Sequence, residues 1–121
     1  MIQNTNIKQY DLEDRTLKFA KRCNTYVNKL PRTIPDIENG KQLVRSSGSV
    51  GANYIEANES LSKKDFVMRV KICRKEARET EYWLQLLNTD GVADMENKRQ
   101  ILIKESIELR KIFGAILEKS K

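Results

Sequence analysis

Between Phe66 and Leu87 the chain sets Phe66, Val70, Cys73, Ala77, Thr80, Leu84 and Leu87 at alternating steps of four and three residues. A 3.6-residue period held over that distance lines one face of a helix, whereas a strand would alternate every second residue. At 1.5 Å per residue the predicted helix is about 35–40 Å long. Ser62, followed three positions later by Asp65, supplies a capping pair at its start. Such a stripe has to be buried against other elements. With five Gly and two Pro in 121 residues, the chain is poor in turn chemistry, and a many-stranded β-fold is excluded as the framework.

Three further segments repeat the period. The first is predicted over about 11–30, with Leu12, Phe19, Cys23, Tyr26 and Leu30 on one face, Asp11 as its cap and Asp14 in its first turn. Pro31 and Pro35 close it, since neither donates a helical hydrogen bond. The second spans about 39–58, with Leu43, Ser47, Val50, Tyr54 and Ala57 in line. The long helix runs over about 63–88. Asn88-Thr89-Asp90-Gly91 is a turn cluster, and Asp94 can cap a fourth helix over about 95–118 with the stripe Leu102, Leu109, Ile112 and Ile116. Four long helices on short joints pack most simply as an all-α, antiparallel up-down-up-down four-helix bundle, a single domain over residues 1–121.

The residues present narrow the chemistry. The chain has no His, which removes the commonest general base, proton shuttle and zinc ligand together. No run of about 18 apolar residues is present to span a membrane, and Met1 to Tyr10 is polar, unlike a signal peptide. Cys23 and Cys73 do not make a disulfide framework, so the expected setting is a reducing cytoplasm. Both lie on core stripes and read as small buried hydrophobes. Glu76, Glu79 and Glu81 with Tyr82 and Trp83 offer carboxylates for acid–base work or a hard metal. Placed beside Ile72 and Arg69, however, they read as a structural ion pair under an aromatic. Asn53 and Glu56 of the second helix are positioned to meet that group and fix helix register. No catalytic constellation, metal site or cofactor site is expected, and the chain reads as a non-enzyme.

The second helix carries a stripe that its core face does not absorb. On a wheel, Arg45, Ser49, Asn53 and Glu56 are polar, and Val44, Gly48, Gly51 and Ile55 form a third sector. Small residues admit another backbone closely. The sector therefore suits either a tight contact inside the bundle or a subunit interface, and Trp83 suits a core or interface anchor.

The stretch Leu43-Val-Arg-Ser-Ser-Gly-Ser-Val-Gly-Ala-Asn-Tyr-Ile-Glu-Ala57 resembles the bacterial four-helix-bundle family of 23S rRNA intervening-sequence proteins. Asp65-Phe66 and Lys75-Glu-Ala-Arg-Glu-Thr-Glu-Tyr-Trp-Leu84 extend the likeness. Many members have Glu-Gly where this chain has Glu56-Ala57. The resemblance implies a cytoplasmic four-helix bundle, in some members a ring-shaped homopentamer. It also implies kinship with the accessory proteins of diversity-generating retroelements, a branch linked to nucleic-acid binding. For most members no activity is established.

The net charge of +6 is unevenly distributed: residues 60–80 and 1–33 each hold seven basic and three acidic side chains. On the third helix Lys64, Lys71, Lys75 and Arg78 share a sector that Tyr82 extends, with Arg74 beside it. On the first, Arg15, Lys18, Arg22 and Lys29 form a second line. Such ridges either track a phosphate backbone, with Tyr82 stacking on a base, or are solvated helix faces. The expected function is accordingly a homo-oligomer, a pentamer by resemblance, that binds RNA or DNA without sequence preference. The alternative is an oligomeric scaffold for protein partners in which the charge serves solubility.

Overall fold

A computed structural model of the chain describes residues 2–89 and 91–121, with side chains from Asp11 onward. It contains four helices, α1 (Ile2–Asn28), α2 (Ile34–Asn58), α3 (Lys63–Leu86) and α4 (Ala93–Lys119), and no strand among the described residues. The 24 residues of α3 give it a length of about 36 Å.

Several helix ends differ from the sequence expectation, for local reasons. The backbone of α1 is already helical at Ile2, so Asp11 lies inside the helix and does not cap it. No Gly or Pro interrupts the first ten residues, and a helix once nucleated propagates through such a segment. Pro35 does not serve as a terminator but lies in the first turn of α2, where its missing N–H costs nothing. Thr33 caps that helix, its Oγ1 accepting from Asp36 N at 3.2 Å. Asp36 Oδ1 in turn accepts from Asn88 N at 3.4 Å, tying the α3–α4 connection to the start of α2. Ser62 caps α3 as expected, accepting from Asp65 N at 3.1 Å. At α4 the cap is the backbone of Val92, and Asp94 lies in the first turn. Asp90, third in the turn cluster, lies outside the described residues, as do the side chains of the polar stretch Met1–Tyr10. Gly91 holds the left-handed φ of +73° that a glycine adopts without strain.

Cross-helix partners run in opposite directions along neighbouring helices. Ser46 meets Thr80 while Asn53 meets Arg69; Glu13 meets Asn58 while Val27 lies beside Gly40; Arg15 meets Glu105 while Tyr26 reaches Met95. Neighbours are therefore antiparallel. The core takes Leu12, Phe19, Cys23 and Tyr26 from α1, Leu30 from the joint that follows it, and Leu43, Val50, Tyr54 and Ala57 from α2. From α3 it takes Val70, Cys73, Ala77 and Leu84, with Leu87 from the C-cap position just after it. Phe66 is only partly buried against it. On α4 the buried line is Leu102, Ser106, Leu109, Phe113 and Leu117, with Ile103 beside it. Ile112 and Ile116, placed on that line by the sequence, flank it instead. Ser106 obscured the line: its hydroxyl donates to Ile103 O at 2.6 Å, which lets a polar residue occupy a core position.

Candidate nucleic-acid interface

The basic residues of α3 do not stand on a simple ridge. Lys71, Arg74, Lys75 and Arg78 form one wall of a groove of about 430 Å3, and Arg110 and Lys111 of α4 form the other. None of these lining residues is acidic. Among the described residues no carboxylate comes within ion-pair distance of Lys71, Arg74, Lys75 or Lys111. Two of the lining cations do hold a carboxylate. Glu81, 8% exposed, is 3.5 Å from Arg78 Nη1 and 3.4 Å from Arg110 Nη2, so one buried carboxylate links a cation on each wall. Arg110 Nε is buried and has no hydrogen-bond acceptor. Tyr82, one turn beyond Arg78, is exposed and stands edge-on to Trp83 at 5.1 Å. Lys64 is exposed in the first turn of α3, outside the groove lining.

The α1 line is of different character. Arg15 donates twice to Glu105 of α4, at 2.7 and 2.8 Å, and those bonds raise its pKa above the ordinary value. Lys18 pairs with Asp14 at 2.8 Å. Arg22 shares a shallow site with Asp11, Asp14 and Glu105. Lys29 faces Lys98, whose hydrogen bond and charge lower the pKa of Lys29. Half of this line is thus neutralised locally, and the structure separates it from the α3 line instead of joining the two. Arg110 and Lys111, missed by the sequence reading, complete the α3 site. The available signal was an adjacent basic pair directly after the core residue Leu109, on a helix that the topology lays beside α3.

The candidate interface stripe of α2 also divides. Gly51 lies against α1, where an added β-carbon would be 2.9 Å from Thr16 Oγ1; its close approach is made inside the chain. Nothing lies within 4 Å of the equivalent position on Gly48, and Val44 and Ile55 are 41% and 49% exposed. Trp83 is half-buried against the core, its Nε1 buried without a partner.

The Glu76 group is a seam between α2 and α3. Arg45 reaches Glu76 at 3.3 Å and Glu79 at 3.0 Å. Arg69, expected beside Glu76, instead donates to Asn53 Oδ1 at 3.0 Å and stands 3.9 Å from Glu56. Beneath it the Ser46 and Thr80 hydroxyls lie 2.9 Å apart, and Thr80 donates to Glu76 O at 2.8 Å. These interactions hold helix register. Cys23 and Cys73 are free and buried, and burial pushes both thiols up to about 12. Among the described residues no three His, Cys, Asp or Glu side chains gather where they could hold a metal ion. No described helix is long and apolar enough to cross a membrane.

No curated protein matches the chain. A crystal structure from Bacteroides thetaiotaomicron, of a protein with unknown function from the S23 ribosomal protein family, superposes with a TM-score of 0.76. It is 34% identical, and the alignment covers 92% of this chain and 98% of that one. The family described as 23S rRNA-intervening sequence protein matches over residues 8–115, a span that takes in both the α2 stripe and the α3–α4 groove. On that span, and on a fold shared at this level of identity, the chain belongs to the 23S rRNA-intervening sequence protein family.

Proposed function

We propose that the chain is a non-catalytic, homo-oligomeric protein of the cytoplasm that binds RNA or other nucleic acid without sequence preference. The observation that carries this reading is the groove whose six lining side chains are all cationic, with no carboxylate among them. Phosphate contacts supply affinity that does not depend on sequence and that falls with salt. Telling all four base pairs apart needs acceptors as well as donors, and the groove lining of Lys and Arg offers donors alone. The α1 line contributes less, because Arg15 and Lys18 already hold carboxylates. Assembly runs through the outer face of α2, where Val44 and Ile55 flank the open Gly48. A pentamer is what resemblance to ring-forming family members implies.

Light scattering coupled to size exclusion tests both halves. With a chain of 14.1 kDa, a particle of about 70 kDa supports the pentamer. A further shift with mixed short RNA that fades with salt supports binding. Reversing charge at Lys71, Lys75 and Arg78 together should abolish the RNA shift and leave assembly intact.

The exposed apolar face of α2 favours a second reading, an oligomeric scaffold for protein partners. Under that reading the same triple reversal leaves partner capture unchanged, and wild-type protein ignores RNA at every salt concentration.

A further inference from the structure

We propose that Arg78 of α3 and Arg110 of α4 act together as a guanidinium clamp on one phosphate of the bound nucleic acid, while the lysines beside them contribute charge alone. This rests on the nucleic-acid reading above and names the two residues at which geometry, as distinct from charge, decides affinity.

Other arginines of the bundle are already engaged. Arg15 gives two nitrogens to the two oxygens of Glu105, at 2.7 and 2.8 Å. Arg99 holds both oxygens of Glu96, at 2.7 and 3.0 Å, and the carbonyls of Leu84 and Gln85. Short, paired contacts of this kind are the strong form of a guanidinium–carboxylate bond.

Arg78 and Arg110 are held differently. Each offers one nitrogen to Glu81, Nη1 at 3.5 Å and Nη2 at 3.4 Å, and both meet the same atom, Oε1. These contacts are longer than a charge-assisted bond of about 2.7–2.9 Å. The two side chains are also 59% and 36% exposed, so water screens what attraction there is. Among the described residues neither arginine has another acceptor, and Arg110 Nε is buried with none. Most of the donors on both guanidinium groups are therefore uncommitted.

Sharing one oxygen also limits how far apart they stand. Two nitrogens that each lie within 3.5 Å of Oε1 cannot be more than about 7 Å from one another. A phosphate accepting from both sides at about 2.8 Å reaches across such a gap, its own width included. Both residues line the same open, shallow groove. Glu81 offsets one of the six positive charges there, and Lys71, Arg74, Lys75 and Lys111 have no carboxylate partner among the described residues. The site thus keeps a positive excess that attracts a phosphate, and an arriving phosphate replaces long contacts by short ones.

Arginine and lysine deliver the same charge in different ways. A guanidinium is a planar fork that matches two phosphate oxygens, whereas an ammonium is a point charge. Lysine at either clamp position keeps the charge and loses the fork.

Fluorescence anisotropy of the full chain with a labelled short RNA, over a series of salt concentrations, tests this. Arg78→Lys and Arg110→Lys should each weaken binding about fivefold or more at an unchanged log–log salt slope, because the slope counts charges. Lys75→Arg should shift affinity by less than about twofold. With both clamp residues changed to Lys, the loss should fall short of the product of the single losses, since the two share one phosphate. The probe is run with and without a terminal phosphate. Equal losses on both place an internal phosphate in the clamp, and a loss confined to the first places the terminal one there. Unchanged affinity in both single variants overturns the proposal, and so do losses that multiply in the double variant. Arg110 is half-buried, so if Arg110→Lys lowers the urea midpoint, the exposed change Arg78→Lys decides. If the single variants bind as wild type does while charge reversal at Lys71, Lys75 and Arg78 abolishes binding, the nucleic-acid reading stands and the clamp fails. If wild type ignores RNA at every salt concentration, both fail.

Discussion

Thr16 of α1 and Gly51 of α2 approach so closely that a β-carbon on Gly51 would stand 2.9 Å from Thr16 Oγ1 and 3.2 Å from its Cβ. Thr16 is buried, short and branched, and its hydroxyl donates to Glu13 O at 2.9 Å, so it has little room to yield. Gly51→Ala gains about 1 kcal/mol of helix propensity and loses more to overpacking. The net expectation is a loss of about 1–2 kcal/mol, read as a lower urea midpoint at unchanged slope. A stabilised variant would mean that the two helices do not meet here.

Gly48, one turn earlier, should behave in the opposite sense. With nothing within 4 Å of the added carbon, Gly48→Ala should stabilise the isolated chain by about 0.5–1 kcal/mol. Because Val44 and Ile55 flank it on the outer face, the same methyl should loosen assembly if a second copy packs there. Urea melts at low protein concentration and scattering at high concentration separate the two effects. Loss of stability without change of assembly would contradict both.

The α2–α3 seam gives a third expectation. Glu76 is 8% exposed and depends on Arg45 for its counter-charge. Arg45 is itself half exposed, so solvent screens the pair. Arg45→Ala should therefore cost about 1 kcal/mol, mostly from stranding the carboxylate. Adding Glu76→Gln should recover part of that loss, since the amide carries no charge to strand. A double variant weaker than the sum of the single changes would rule out this pairing.

What the chain made legible depends on how local the signal is. The stripes of α1, α2 and α3 follow from spacings within each helix, and Leu43, Val50, Val70, Cys73 and Leu84 are all fully buried. Pro35 misled because the same residue stops a helix in its interior and is harmless in its first turn. The site was half visible. Lys71, Lys75 and Arg78 share a face by spacing alone, but Arg110 and Lys111 join them only once α4 is known to lie beside α3. The loss of Arg15 to Glu105, 90 positions away, is likewise a product of packing that no local pattern encodes.

Burial of Cys23, Cys73 and Tyr26 makes stability sensitive to alkali. Both thiols are raised from 9.0 to about 12 and the Tyr26 phenol from 10.0 to about 12, desolvation being the largest cause for each. The folded state holds these protons more tightly than the unfolded one. Their contribution is therefore complete below about pH 9 and is lost as pH climbs toward 12. The urea midpoint should be level from about pH 7 to 8.5 and fall steadily above 9. Native protein should also resist thiol reagents at pH 8 that label the unfolded chain at once. A midpoint unchanged to pH 11 would contradict the burial of these groups.

Trp83 is the chain's one tryptophan, and its indole N–H is buried without a partner. An unmet donor of this kind costs about 1–3 kcal/mol to keep dry, so the ring's packing against the core must outweigh it. Trp83→Phe keeps an aromatic ring and removes the unmet donor, and it should cost less than about 1 kcal/mol in the isolated chain. Trp83→Ala, which empties a half-buried site, should cost about 2–3 kcal/mol. Assembly alters the balance if a neighbouring copy brings an acceptor to Nε1. Trp83→Phe would then leave the melt of the dilute chain unchanged and lower the particle mass at high concentration, and wild-type emission would shift as the protein is diluted. If Trp83→Phe assembles as well as wild type and emission is constant on dilution, Trp83 is a core anchor alone, and the subunit contact has to be sought at Val44 and Ile55 without it.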